Sequence, residues 1–104
     1  MTSEEIKLSG ERHVRSDLTS KGFFCVRNKW SRTPTGIEAI MGTEVALVYV
    51  TAAAYPNLPT GPSAEESGSI RKRAARMDWE AWLAHVQIDD AGKLLEPITY
   101  ARLI

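Results

Sequence analysis

Two apolar runs, Ile37 to Met41 and Val45 to Val50, are joined by Gly42-Thr43-Glu44, and few folds accommodate such a pair. The spacing predicts a β-hairpin. Val45, Leu47, Val48 and Val50 put apolar side chains at both parities of the second arm, so it is expected at the centre of a sheet, covered on both faces. Covering both faces takes a helix on each side, and the sequence offers one before the hairpin and one after. A chain of 104 residues makes one domain, residues 1–104, and one sheet with two or three helices exhausts it.

The first helix is expected to start at a cap on Ser3 or Ser9, with Glu4 and Glu5 favouring the earlier start, and to end at Lys21-Gly22. Val14 and Leu18 share one stripe, and Glu11 falls on the same side, which puts a carboxylate on the buried-facing surface. An edge position with a partner in Arg15 would serve Glu11 equally well. Phe23 to Arg27 reads as the first strand, and Asn28 to Thr35 as a polar loop holding Lys29, Trp30 and Arg32. After the hairpin, Tyr55 to Pro62 contains three prolines in seven residues, which forbids helix and central strand. Ser63 with Glu66 makes a capping box for a second helix running to about Asp78, with Ile70, Ala74 and Met77 as its apolar stripe. Ala81 to Ile88 reads as a third long strand, Asp89 to Gly92 as a turn, and Lys93 to Ile98 as a short return placed at a sheet edge by Pro97, with residues 99–104 unassigned. The expected class is α/β: a central mixed five-stranded sheet flanked by two helices, in the order helix, three strands, helix, two strands.

Thirteen basic and thirteen acidic residues cancel, which argues against a DNA mimic or a histone-like binder. The distribution is uneven, with seven Lys or Arg against four acids in residues 1–33. Two places concentrate cations. Arg27, Lys29, Trp30 and Arg32 combine cations with an indole, a set suited to phosphates and a stacked base, although solvated cations over a tucked Trp would look the same. Lys72, Arg73 and Arg76 form a basic helix face without local acids, and such a face is ordinarily solvated. The single Cys25 excludes an intrachain disulfide and, lying between Phe24 and Val26, reads as a small buried hydrophobe. One Cys with the distant His13 and His85 gives no zinc spacing. With no leader-like start and no run of about 18 apolar residues, a cytoplasmic protein with no membrane association is expected.

The element order, Glu11 on the first helix, the Arg-rich loop and the apolar hairpin followed by a helix together resemble the PD-(D/E)xK nuclease superfamily, a restriction-endonuclease-like fold. The similarity is strongest to archaeal-type and phage Holliday junction resolvases and spans about residues 9–96. The resemblance implies an Asp at the start of the second strand, an acidic or Gln residue and a Lys two apart near the end of the third, and a Glu on the first helix, jointly serving a divalent metal and an activated water. On this chain those positions fall on Gly36, Tyr49, Thr51 and Glu11, so Glu11 alone keeps its chemistry. Glu38 and Lys72 are conceivable migrated substitutes.

Three functions follow as expectations. The first is a catalytically inactive nuclease-like protein that binds branched or other nucleic acid, or regulates a nuclease, and takes no cofactor. The second is an active endonuclease using Glu11, Glu38 and Lys72 with Mg²⁺. The third is a phage-type inhibitor that binds a protein partner on the same fold. The resemblance also implies a homodimer.

Overall fold

The computed structural model describes residues 1–27 and 36–103. Its elements are α1 (Ser3–Ser20), β1 (Phe24–Arg27), β2 (Gly36–Met41), β3 (Glu44–Ala54), α2 (Ala64–Arg76), β4 (Glu80–Ile88) and β5 (Thr99–Leu103). They form one five-stranded sheet in the order β1-β2-β3-β4-β5, antiparallel except between β3 and β4. The expected class and element order are therefore present. β3 is the middle strand. Its alternate residues feed two cores, because successive side chains point to opposite faces. Ala46, Val48 and Val50 join Val14 and Leu18 of α1, Ile37 and Ala39 of β2, and Ala84, Val86 and Ile88 of β4. On the other face Leu47 joins Ala81 with Ile70 and Ala74 of α2.

Several boundaries differ from the sequence reading. The α1 cap is Thr2, not Ser3 or Ser9: its side chain accepts from the Glu5 amide while Glu5 bonds back to the Thr2 amide. That reciprocal pair fixes the first turn one residue earlier. β1 begins at Phe24 rather than Phe23, and β3 continues through Ala54, because Ala52 to Ala54 pair with Val86 to Ile88. α2 ends at Arg76, with Met77 as its cap and Asp78 at φ 59°, so Met77 is 53% exposed and leaves the apolar stripe. Ser63 caps α2 as expected, accepting from the Glu66 amide at 3.1 Å.

The largest correction concerns the last strand. Lys93 to Ile98 contributes a single antiparallel bridge, Ile88 to Leu94, and the strand is Thr99–Leu103 opposite Ala81 to His85. Two features disfavour a tight hairpin after β4. The Asp89 carboxylate accepts from the Ala91 and Lys93 amides at 2.8 Å each, which curls the chain, and Pro97 has no amide to give a ladder. The connection is held to α1 instead, where the Gly92 carbonyl accepts from Ser9 Oγ at 3.1 Å and lies 2.7 Å from His13 Nε2.

Gly10 sets how closely α1 lies on the sheet. A Cβ built there would stand 2.5 Å from the Ala52 Cβ, closer than two carbons can approach, and neither atom is the end of a flexible side chain. Gly10→Ala gains about 1 kcal/mol of helix propensity, but overpacking of this kind costs about 1–3 kcal/mol, so net destabilisation is expected. In an Ala52→Gly background the opposing methyl is gone and the same substitution should stabilise. Denaturant melts of the four proteins check this; a Gly10→Ala chain at least as stable as the parent would refute the close-approach account.

Candidate functional site

The hairpin register places Gly36 directly opposite Tyr49 and Glu38 opposite Leu47. Ile37 and Ala39 face α1, so Gly36 and Glu38 lie on the α2 side, with Tyr49 and Thr51 of β3. All three hairpin positions that the resemblance marks, Gly36, Tyr49 and Thr51, thus share one face at one end of the sheet. Thr51 lies opposite His85 of β4 and is 8% exposed.

Structural hydrogen bonds occupy this face. The Tyr49 hydroxyl donates to Glu66 Oε2 at 2.8 Å, and Ser63 Oγ donates to Glu66 Oε1 at 3.2 Å. These donations, Tyr49's first, hold the Glu66 carboxyl below the usual carboxylate range. Thr51 Oγ1 lies 2.8 Å from His85 Nδ1 and 3.4 Å from the Ala84 carbonyl, so the hydroxyl ties β3 to β4. Glu66 and His85 are site members that the sequence reading did not place. The first was visible only as a helix-capping residue, and the second depends on a parallel register that sequence does not reveal.

The substitute set does not converge. Glu11 is buried on α1, at 7% exposure, on the opposite face of the sheet from Glu38. Lys72 is exposed on α2, about 200° around the helix from the buried Ile70. Among the described residues no three His, Cys, Asp or Glu side chains are grouped to hold a metal ion. A hard divalent cation takes oxygen ligands, preferably carboxylates. Gly36 offers no side chain, Tyr49 is bonded to Glu66, and Thr51 is turned to His85, so the donor set does not fit such an ion.

The cationic residues are placed in part. Lys72 and Arg76 are exposed and Arg73 is half-buried, and none of the three forms an ion pair with a described residue. Arg73 and Arg76 occupy the last turn of α2, where cations also complement the helix dipole. Arg27 closes β1 opposite Ile37, while Lys29, Trp30 and Arg32 lie outside the described residues. A third cationic place emerges on α1, where exposed Arg12 and Arg15 border a groove of about 630 Å³ together with Leu8 and Glu11. Cys25 is half-buried, and burial raises its thiol pKa, which suits a packing residue.

A helix on each face of a mixed sheet, with an antiparallel β1-β2-β3 meander joined through α2 to a parallel β4, is the restriction-endonuclease-like fold. Among the solved structures it matches is Hjc, a Holliday junction resolvase from the archaeal hyperthermophile Archaeoglobus fulgidus. That match has a TM-score of 0.70 at 20% identity and covers 93% of this chain and 72% of that one. No family model and no curated protein matches the sequence.

Directly opposed strand residues hold their Cβ atoms about 4.5–5.5 Å apart, so Gly36→Asp with Tyr49→Glu would set two carboxylates side by side on the α2 face. The double variant is expected to bind Mn²⁺ by calorimetry where the parent chain does not. A folded double variant with no gain would remove the correspondence between this hairpin and a metal-binding one. Separately, Tyr49→Phe should raise the Glu66 pKa toward its ordinary value in a carboxyl NMR titration, because the phenol that donates to the carboxylate is removed.

Proposed function

We propose that this chain is a nucleic-acid-binding protein on a nuclease fold, without the metal-dependent chemistry of an endonuclease. The observation that carries this reading is the state of the α2 face at the hairpin. There Gly36, Tyr49 and Thr51 stand where a metal enzyme needs carboxylates and an ammonium, and two of them are engaged in bonds internal to the protein. The fold shared with a junction resolvase supports nucleic acid as the partner, and the cations without described ion pairs on α2 supply the means. Lys72, Arg73 and Arg76 take phosphates on this reading, joined by Arg27, Lys29, Trp30 and Arg32 and by Arg12 and Arg15 of α1. Among the described residues no helix is long and apolar enough to cross a membrane.

A second reading, a protein-binding regulator, draws on one observation. β1 and β2 turn Phe24, Val26 and Ile40 to the side where α2 covers β3 and β4, and Phe24 is 67% exposed. A second copy of the chain is the simplest cover for that patch, which makes the homodimer part of the proposal.

Titrations on duplex, single-stranded and four-way-junction DNA at two salt concentrations test the main reading. Binding is expected to weaken steeply with salt, and Lys72→Ala, Arg73→Ala and Arg76→Ala together should flatten the log–log slope by up to about three phosphate equivalents. Cleavage with Mg²⁺ or Mn²⁺ is expected to be absent; metal-dependent nicking abolished by Glu11→Ala or Glu38→Ala would restore the enzyme. Failure to bind any of these DNAs at low salt would leave the protein-partner reading standing.

A further inference from the structure

A second concavity lies on the opposite face of the sheet from the hairpin site, between the C-terminal end of α1 and the β4–β5 edge. It has a volume of about 430 Å³, within the range of small-ligand sites, and its lining is mainly apolar. Three aromatic rings line it. Phe23 meets Trp82 at 5.6 Å between centroids and 83° between planes, and Tyr100 meets Trp82 at 6.4 Å and 70°. Near-perpendicular walls suit a flat ring, since a ring stacked on one wall presents its edge to the next, and both are favoured aromatic geometries.

The rim carries two ion pairs, Lys21 with Asp17 and Arg102 with Glu80, and both cations keep donors that these pairs do not use. Lys21 sits 5.0 Å above the Tyr100 ring and gives one of its three hydrogens to Asp17 at 3.0 Å. Asp17 Oδ2 is already occupied, accepting from both Lys21 and the Tyr100 hydroxyl, the latter at 2.6 Å. These bonds hold the Asp17 carboxyl below its usual range, Tyr100's contribution being the largest. Across the pocket Arg102 pairs with Glu80 through one nitrogen, which leaves the other donors of its guanidinium available. Two cations with unused donors beside three aromatic rings have the chemistry to meet a planar aromatic ring that carries an anion.

We propose that this pocket binds a nucleoside monophosphate unit, the base against Trp82 and its two flanking rings and the phosphate between Lys21 and Arg102. Base stacking on aromatic side chains tolerates any base, so the site selects for the class rather than for one nucleotide. The unit has two sources, a free nucleotide or the phosphorylated end of a strand. Neither requires the cations of α2, and the pocket is separate from the hairpin face.

The test is a titration of the full ¹⁵N-labelled chain with deoxyadenosine monophosphate, deoxyadenosine and a 5′-phosphorylated pentadeoxyadenylate strand. Deoxyadenosine monophosphate at millimolar concentration is expected to move the Trp82 indole N–H resonance and to leave that of Trp79, on the opposite face, in place. Lys21→Gln with Arg102→Gln should weaken its affinity at least tenfold while changing deoxyadenosine binding little. An equal response to the strand assigns the site to strand ends, and a response to the mononucleotide alone assigns it to free nucleotide; either supports the site. An unmoved Trp82 resonance, or an affinity indifferent to the double glutamine variant, would overturn it. Lys72→Ala, Arg73→Ala and Arg76→Ala should leave this titration unchanged, so failure here is separable from failure of the DNA-binding reading.

Discussion

The contact between Gly10 and Ala52 is the constraint from which the arrangement follows. A helix lies this close to a sheet only where both sides are small, and here the absent side chain of a glycine meets the methyl of an alanine. The approach lets Val14 and Leu18, at 0% and 2% exposure, reach Val48 and Val50 without a gap. It also presses Glu11, one residue on, into the same buried layer. The carboxylate's burial is therefore a consequence of where the helix must sit, and on its own says little about chemistry.

What the sequence revealed and what it concealed divide along the range of the interactions. The hairpin, the Ser63 cap and the double-faced character of β3 were legible because each is encoded within a few residues. The Thr2–Glu5 box was equally local and could have been read in place of a serine cap. β5 was not legible. Lys93 to Ile98 follows the turn directly, where a hairpin return would start, but the Asp89 side chain and Pro97 take it out of the ladder, and Thr99–Leu103 fills the position through pairing with residues 81 to 85. For the site, parity sufficed to put Tyr49 and Thr51 on one face, whereas the bonds to Glu66 and His85 depend on how α2 and β4 return to that face.

Those two bonds tie the middle strand to the elements that follow it. The end of β3 carries a phenol, Tyr49, paired with Glu66 of α2, and a small hydroxyl, Thr51, paired with His85 of β4. These pairs knit β3 to α2 and to β4. The Thr51 pair, whose hydroxyl is buried, adds about 0.5–1.5 kcal/mol. The same two side chains therefore contribute to the cohesion of the sheet and its covering helix.

The bonds from α1 to Gly92 and Tyr100 join residues 79 to 83 apart in sequence. In an otherwise open chain, closing a loop of that size costs about 4 kcal/mol of configurational entropy. The β2–β3 hairpin needs no comparable closure, so the meander can form early and shorten the distance that the later seam must bridge. The seam between the first helix and the last strand is then the part of the molecule that assembles late and opens first. Amide exchange should show this as β5 and the residue 89–98 connection losing protection together, at a lower free energy than β3. The aromatic pocket lies along that seam, so an occupant there would act as a clasp on the two ends of the chain.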